Sequence, residues 1–65
     1  MKVTYDPTVD ILRIVLGEAR IAESDEQKPG VVLDVGEDGI ILGIEILEAS
    51  KRVDNPRAVE YDVTV

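Results

Sequence analysis

The chain has no cysteine, no histidine, no tryptophan and no phenylalanine, and Tyr5 and Tyr61 are its only aromatics. Without cysteine there is no disulfide framework. Without cysteine and histidine together, the common zinc, copper and iron ligand sets are excluded. The same absences remove the usual nucleophile–base pairs, since Ser24 and Ser50 stand with no base and no surrounding motif. We therefore expect no enzyme, no catalytic residue and no cofactor.

Positive charge is scarce too: 7 basic residues face 14 acidic ones, a net charge of −7, and the pI is near 4.3. This excess argues against nucleic acid or an anionic membrane surface as a direct partner and leaves a basic protein compatible. No apolar run is long enough to span a bilayer. The opening MKVTYD lacks the basic leader and apolar stretch of a signal peptide, so the expected location is cytoplasmic.

What remains is a chain of 65 residues, 45% hydrophobic and 32% charged, which predicts one globular domain over 1–65. A chain this short buries only about 60% of the surface its unfolded form exposes, and disulfides, metals or association commonly make up the shortfall. With the first two excluded, self-association is the expected device, and a homodimer is favoured.

The organising stretch is Gly30 to Ser50, GVVLDVGEDGIILGIEILEAS, which reads as a β-hairpin with Asp38 and Gly39 in a tight two-residue turn. That loop sets Val35 opposite Leu42, Leu33 opposite Ile44 and Val31 opposite Ile46. All three pairs are apolar, and a one-residue slip destroys them.

Around the hairpin, Met1 to Tyr5 alternates as a first strand with Val3 and Tyr5 on one side, and Asp6 to Asp10, DPTVD, reads as a turn. Ile11 to Leu16 is a β-branched second strand ending at Gly17. Gly17 to Pro29 is polar: Arg20 to Glu23 is compatible with a short edge strand, Ser24 to Lys28 reads as a solvated loop, and a helix there lacks an apolar stripe to bury. Alternation lapses over Leu47 to Val53, which predicts one or two helical turns stopped by Asp54-Asn55-Pro56. Ala58 to Val65 alternates again and reads as a final strand. The expected fold is mainly β, with a small α+β arrangement as the variant. It is an antiparallel meander of five to six short strands with one helical turn near residues 47–53.

One face of such a sheet carries Leu12, Ile14, Leu16, Val31, Leu33, Val35, Leu42, Ile44 and Ile46, the predicted core or interface. Burying one such side chain is worth roughly 1.5–3 kcal/mol, yet no amphipathic helix exists to cover the row, so the sheet must roll up or meet another subunit. The opposite face mixes Ile11, Val15, Val32, Ile41 and Leu47, a second candidate interface, with Arg13, Asp34 and Glu45.

Other constellations are weaker. Asp34, Asp38, Gly39, Ile41 and Glu45 fall at positions one, five, six, eight and twelve of the EF-hand calcium pattern. However, Gly36 has no oxygen for position three, and the flanks read as strands, so no metal site is expected. Asp6, Asp10, Glu37, Asp38, Glu45 and Glu48 read as turn or solvated carboxylates. Gly30, Gly36, Gly39 and Gly43 are spaced for turns and bulges rather than for a phosphate loop. Lys51, Arg52 and Arg57 form a small basic patch suited to local ion pairs or an interface, and the two tyrosines suit caps on the core or interface anchors.

The chain also resembles a known family. The blocks K-V-T-Y-D-P-x-x-D (Lys2 to Asp10), I-L-R-I-V-L, P-G-V-V-L-D-V (Pro29 to Val35), Asp38-Gly39 and G-I-E-I-L-E-A-S (Gly43 to Ser50) are similar to the small prokaryotic domain of unknown function 2283. The resemblance implies a compact, mostly β cytoplasmic domain and brings no assigned catalytic or ligand residues. It also suggests an antitoxin-like role toward a basic toxin. Many members carry an aromatic in strand two where this chain has Arg13 and Ile14. The function expected from residues and resemblance together is a non-enzymatic interaction module that self-associates through a sheet face. The alternatives are an antitoxin-like partner or a weak carboxylate-based binder of a metal or small molecule.

Overall fold

The computed structural model describes all residues, Met1–Val65. Five strands and one helical turn follow in order: β1 (Lys2–Asp6), β2 (Ile11–Val15), β3 (Ile21–Lys28), β4 (Val31–Gly36), β5 (Ile41–Leu47) and α1 (Ala49–Arg52). The strands form one antiparallel sheet in the order β1-β2-β5-β4-β3. The mainly β class and the helical turn within 47–53 match the expectation. The strand order departs from a simple meander. Two units, the β1-β2 hairpin and the β3-β4-β5 meander, join along β2 and β5, so β5 lies at the centre. This pairing sets Leu12 opposite Ile46 and Ile14 opposite Ile44, a better apolar match than the polar β3 offers β2.

The central hairpin keeps the predicted pairs Val31–Ile46 and Leu33–Ile44, but Val35 faces Ile41 rather than Leu42. The loop has three residues, not two. The Gly39 N–H donates to the Gly36 carbonyl at 3.0 Å, and the Gly36 N–H to the Ile40 carbonyl at 2.8 Å. Gly39 takes φ +85°, the left-handed position that closes a three-residue hairpin. The extra loop residue is absorbed by a register shift between Asp34 and Val35, which returns the rest of the hairpin to the predicted register.

Two expectations fail. Ser24 to Lys28 is no loop but belongs to the eight-residue edge strand β3. Its residues are all exposed, and it is held by pairing with β4, which requires backbone groups rather than apolar side chains. Ala58 to Val65 forms no strand; it pairs with neither edge strand, β1 or β3.

Burial is thin. Leu12, Leu42 and Ala49 are the only buried hydrophobic residues, and no large side chain is fully enclosed. Leu42 lies against two glycines, where a β-carbon on Gly17 or Gly36 would come within 3.1 and 3.2 Å of its methyls. The molecule measures 35 × 32 × 19 Å with a radius of gyration of 12.6 Å, against about 10.7 Å for a compact chain of this length.

Candidate functional site: an uncovered sheet face

Residues opposite each other in an antiparallel ladder share a face. The registers therefore align Val3, Ile14, Ile44 and Leu33 in one row across the sheet, and Tyr5, Leu12, Ile46 and Val31 in the next. This is the predicted inner face. Of its residues only Leu12 and Leu42 are buried; Ile14, Val31, Leu33, Val35, Ile44 and Ile46 are half-buried and Leu16 is exposed. No strand or helix packs extensively on the face; Arg57 and Val59 lie against it at its Val3–Tyr5 end. Along β3, Glu23, Asp25 and Lys28 share it, which gives the apolar patch a charged rim.

The opposite face is mixed, as expected. Ile11 pairs with Leu47, and Arg13 with Glu45, and Val32 flanks Glu45 on its other side. Val15 faces Gly43 on the same side; Ile41, predicted for this face, pairs with Val35 beyond the bulge instead and is exposed. Asp34 is only 2% exposed and sits over Gly43, where a β-carbon would meet its Oδ2 at 2.9 Å. Its Oδ1 accepts a 2.6 Å hydrogen bond from the Ser24 hydroxyl, whereas Oδ2 has only the Arg13 guanidinium 4.0 Å away. Glycine at position 43 is what makes room for this carboxylate.

A polar cluster ties the sheet to α1. Asp10, at φ 57°, accepts from the Tyr5 hydroxyl (2.7 Å), the Ser50 amide (2.9 Å) and the Ser50 hydroxyl (2.7 Å). Its backbone carbonyl accepts from the Ala49 amide at 2.9 Å. Asp10 thus satisfies two of the free N–H groups at the start of α1, a capping job done from forty positions away. Chiefly the Ser50 hydroxyl, then Tyr5, holds the Asp10 carboxyl below its usual range. The hydrogen bond to Asp10 pushes the Tyr5 phenol above its own. The three hydrogen bonds to the Asp10 carboxylate thus join β1, the β1-β2 turn and α1. Reading the residues locally gave Asp10 only a turn role. The available signal was that Tyr5, Asp10 and Ser50 all lie in the two blocks that carry the family resemblance.

The remaining candidates stay apart. No three acidic side chains converge in a way that could hold a metal ion, and the EF-hand-like spacing falls on the β4-β5 hairpin. Asp6 and Asp38 cap their own turns, accepting from the amides of Thr8 (3.0 Å) and Ile40 (3.2 Å). Lys51, Arg52 and Arg57 make no ion pair. The Arg57 guanidinium lies 5.7 Å from the centre of the Tyr5 ring, and Arg52 lies over Gly30. Tyr61 is exposed and caps nothing within the chain.

Fold and surface together define a small antiparallel β domain with one open apolar face. The chain belongs to the family described as "Protein of unknown function (DUF2283)", whose model matches residues 2–50. That span ends at Ser50 and so takes in the whole sheet and the Tyr5–Asp10–Ser50 cluster. No curated protein and no solved structure matches the chain. No helix is long and apolar enough to cross a membrane.

Proposed function

We propose that this domain is a non-enzymatic association module whose open sheet face packs against the same face of a second copy. The observation that carries the reading is exposed area. The chain exposes 5136 Å², whereas a compact monomer of its 7.1 kDa mass exposes about 4,100 Å². The excess, roughly 1,000 Å², is close to the ~800 Å² that each partner contributes to a stable interface. It is shared between the sheet face and the last eight residues. Two such faces stacked about 10 Å apart form a sandwich, the usual way an antiparallel sheet acquires a core. The test is Ile44→Asp, at the centre of the face. The wild-type chain runs as a dimer by light scattering and the variant as a folded monomer. A variant that stays dimeric refutes the face as the interface.

A second reading, the antitoxin-like role, draws support from Glu23, Asp25 and Glu26, which give the exposed edge strand β3 acidic side chains on both faces and suit a basic protein. Co-expression with the product of an adjacent gene tests it. A salt-sensitive complex with a basic protein supports this reading, and separate purification of the two counts against it.

A further inference from the structure

Residues 58–65, AVEYDVTV, alternate apolar and polar, yet Val59, Tyr61 and Val63 are 62%, 74% and 71% exposed. After Ala58, whose amide reaches the Asn55 carbonyl at 3.2 Å, no residue of the segment makes a hydrogen bond within the chain. A segment with strand patterning and an unused set of backbone donors and acceptors is an addition strand without a ladder.

We infer that Ala58–Val65 adds as a strand to the β1 edge of a second copy, reciprocally in the dimer. This deepens, and rests on, the face-to-face association proposed above. The two free edges of the sheet differ. β3 has two register breaks against β4 and carries Glu23, Asp25 and Glu26, which repel Glu60 and Asp62. Bulges and charge are the devices that blunt an edge. β1 pairs with β2 from Lys2 to Asp6 without a break, leaving a regular row of outer backbone groups on a strand whose charges, Lys2 and Asp6, cancel, against the net negative charge of β3. Beside β1, Val59, Tyr61 and Val63 extend the apolar rows that Val3 and Tyr5 begin.

The root of the segment selects the second copy over its own chain. Arg57 is stacked on Tyr5, and Val59 lines a groove with Val3, Tyr5, Pro7 and Pro56. The segment therefore leaves above the open face rather than alongside its own edge. A stacked sheet begins about 10 Å above that face, and the six residues beyond Val59 reach about 20–22 Å when extended, enough to cross the gap and run along a neighbouring strand.

Val63→Pro tests this in the full-length chain. Proline removes the ladder N–H, and Val63 is 71% exposed and makes no hydrogen bond within the chain, so circular dichroism is unchanged while the dimer dissociation constant rises tenfold or more. In dimers mixed from labelled and unlabelled chains, contacts from the Tyr61 ring and Val63 methyls to Val3 and Tyr5 appear between subunits. A dimer whose affinity Val63→Pro leaves alone, or in which those contacts lie within one chain, overturns strand exchange and leaves face packing standing. A wild-type chain that stays monomeric defeats both.

Discussion

The Asp10 carboxylate and Ser50, forty residues apart, are joined by two hydrogen bonds, from the Ser50 amide at 2.9 Å and from its hydroxyl at 2.7 Å. This contact fastens the β1-β2 turn to α1 and fixes where the chain goes after the sheet. Asp10→Asn and Ser50→Ala each lower the thermal midpoint without altering the size of the assembly. The double variant is less destabilised than the two effects added, because both remove one contact. A double-mutant cycle followed by thermal melting measures this.

The same cluster sets a pH dependence. The folded-state pKa of Asp10 is lowered, chiefly by the Ser50 hydroxyl, so its stabilisation is present above the ordinary carboxylate pKa of about 3.9 and is lost as pH falls through the folded value. Tyr5 has a raised folded-state pKa, chiefly through its bond to Asp10. Its contribution is present below the ordinary phenol pKa of about 10 and is lost as pH rises through the higher folded value. Melting profiles should therefore fall at both extremes. Asp10→Asn flattens the acid limb, and Tyr5→Phe removes the contribution of this phenol to the alkaline limb.

Gly43→Ala destabilises by about 1–3 kcal/mol, the usual cost of overpacking. Its β-carbon would lie 2.9 Å from Asp34 Oδ2 and 3.2 Å from the Ile14 carbonyl oxygen. Neither neighbour can yield easily, since one is buried and the other is backbone in the adjoining strand. Urea titration of the variant gives the value.

Gly39→Ala isolates a different cost. Nothing lies within 4 Å of the added carbon, and φ is +85°, so only the left-handed backbone penalty of about 1–2 kcal/mol applies. Gly39→Asn recovers part of it, because asparagine tolerates that conformation. Gly43→Asn recovers nothing, because its cost is steric.

Much of this architecture was legible in the alternation of apolar residues. The pairs Val31–Ile46 and Leu33–Ile44 follow from matching the two halves of the hairpin, and the faces of β1 and β2 follow from period two. The bulge beyond Asp34 was not legible, because a three-residue loop plus one register shift gives the same outer pairs as a two-residue loop. The start of β3 was legible in Arg20 to Glu23, but its continuation through Ser24 to Lys28 was not, because edge pairing is written in backbone groups and Asp25, Glu26 and Lys28 leave no apolar signature. The placement of β2 beside β5 depends on a long-range choice between Ile44/Ile46 and the polar β3, whereas sequential reading assumes neighbours. Asp10 and Ser50 could not be paired from local pattern at all. Ala58–Val65 shows the converse: its alternation is plain, but it pairs with neither edge of its own sheet.

The central claim, that a second copy covers the row running from Ile14 through Ile44 to Leu33, is tested most directly by the mass of the folded full-length chain as it is diluted. Sedimentation velocity should give twice 7.1 kDa at micromolar concentration, with dissociation to a folded single chain on further dilution. A folded species of single-chain mass at every concentration would show instead that the row needs no second copy.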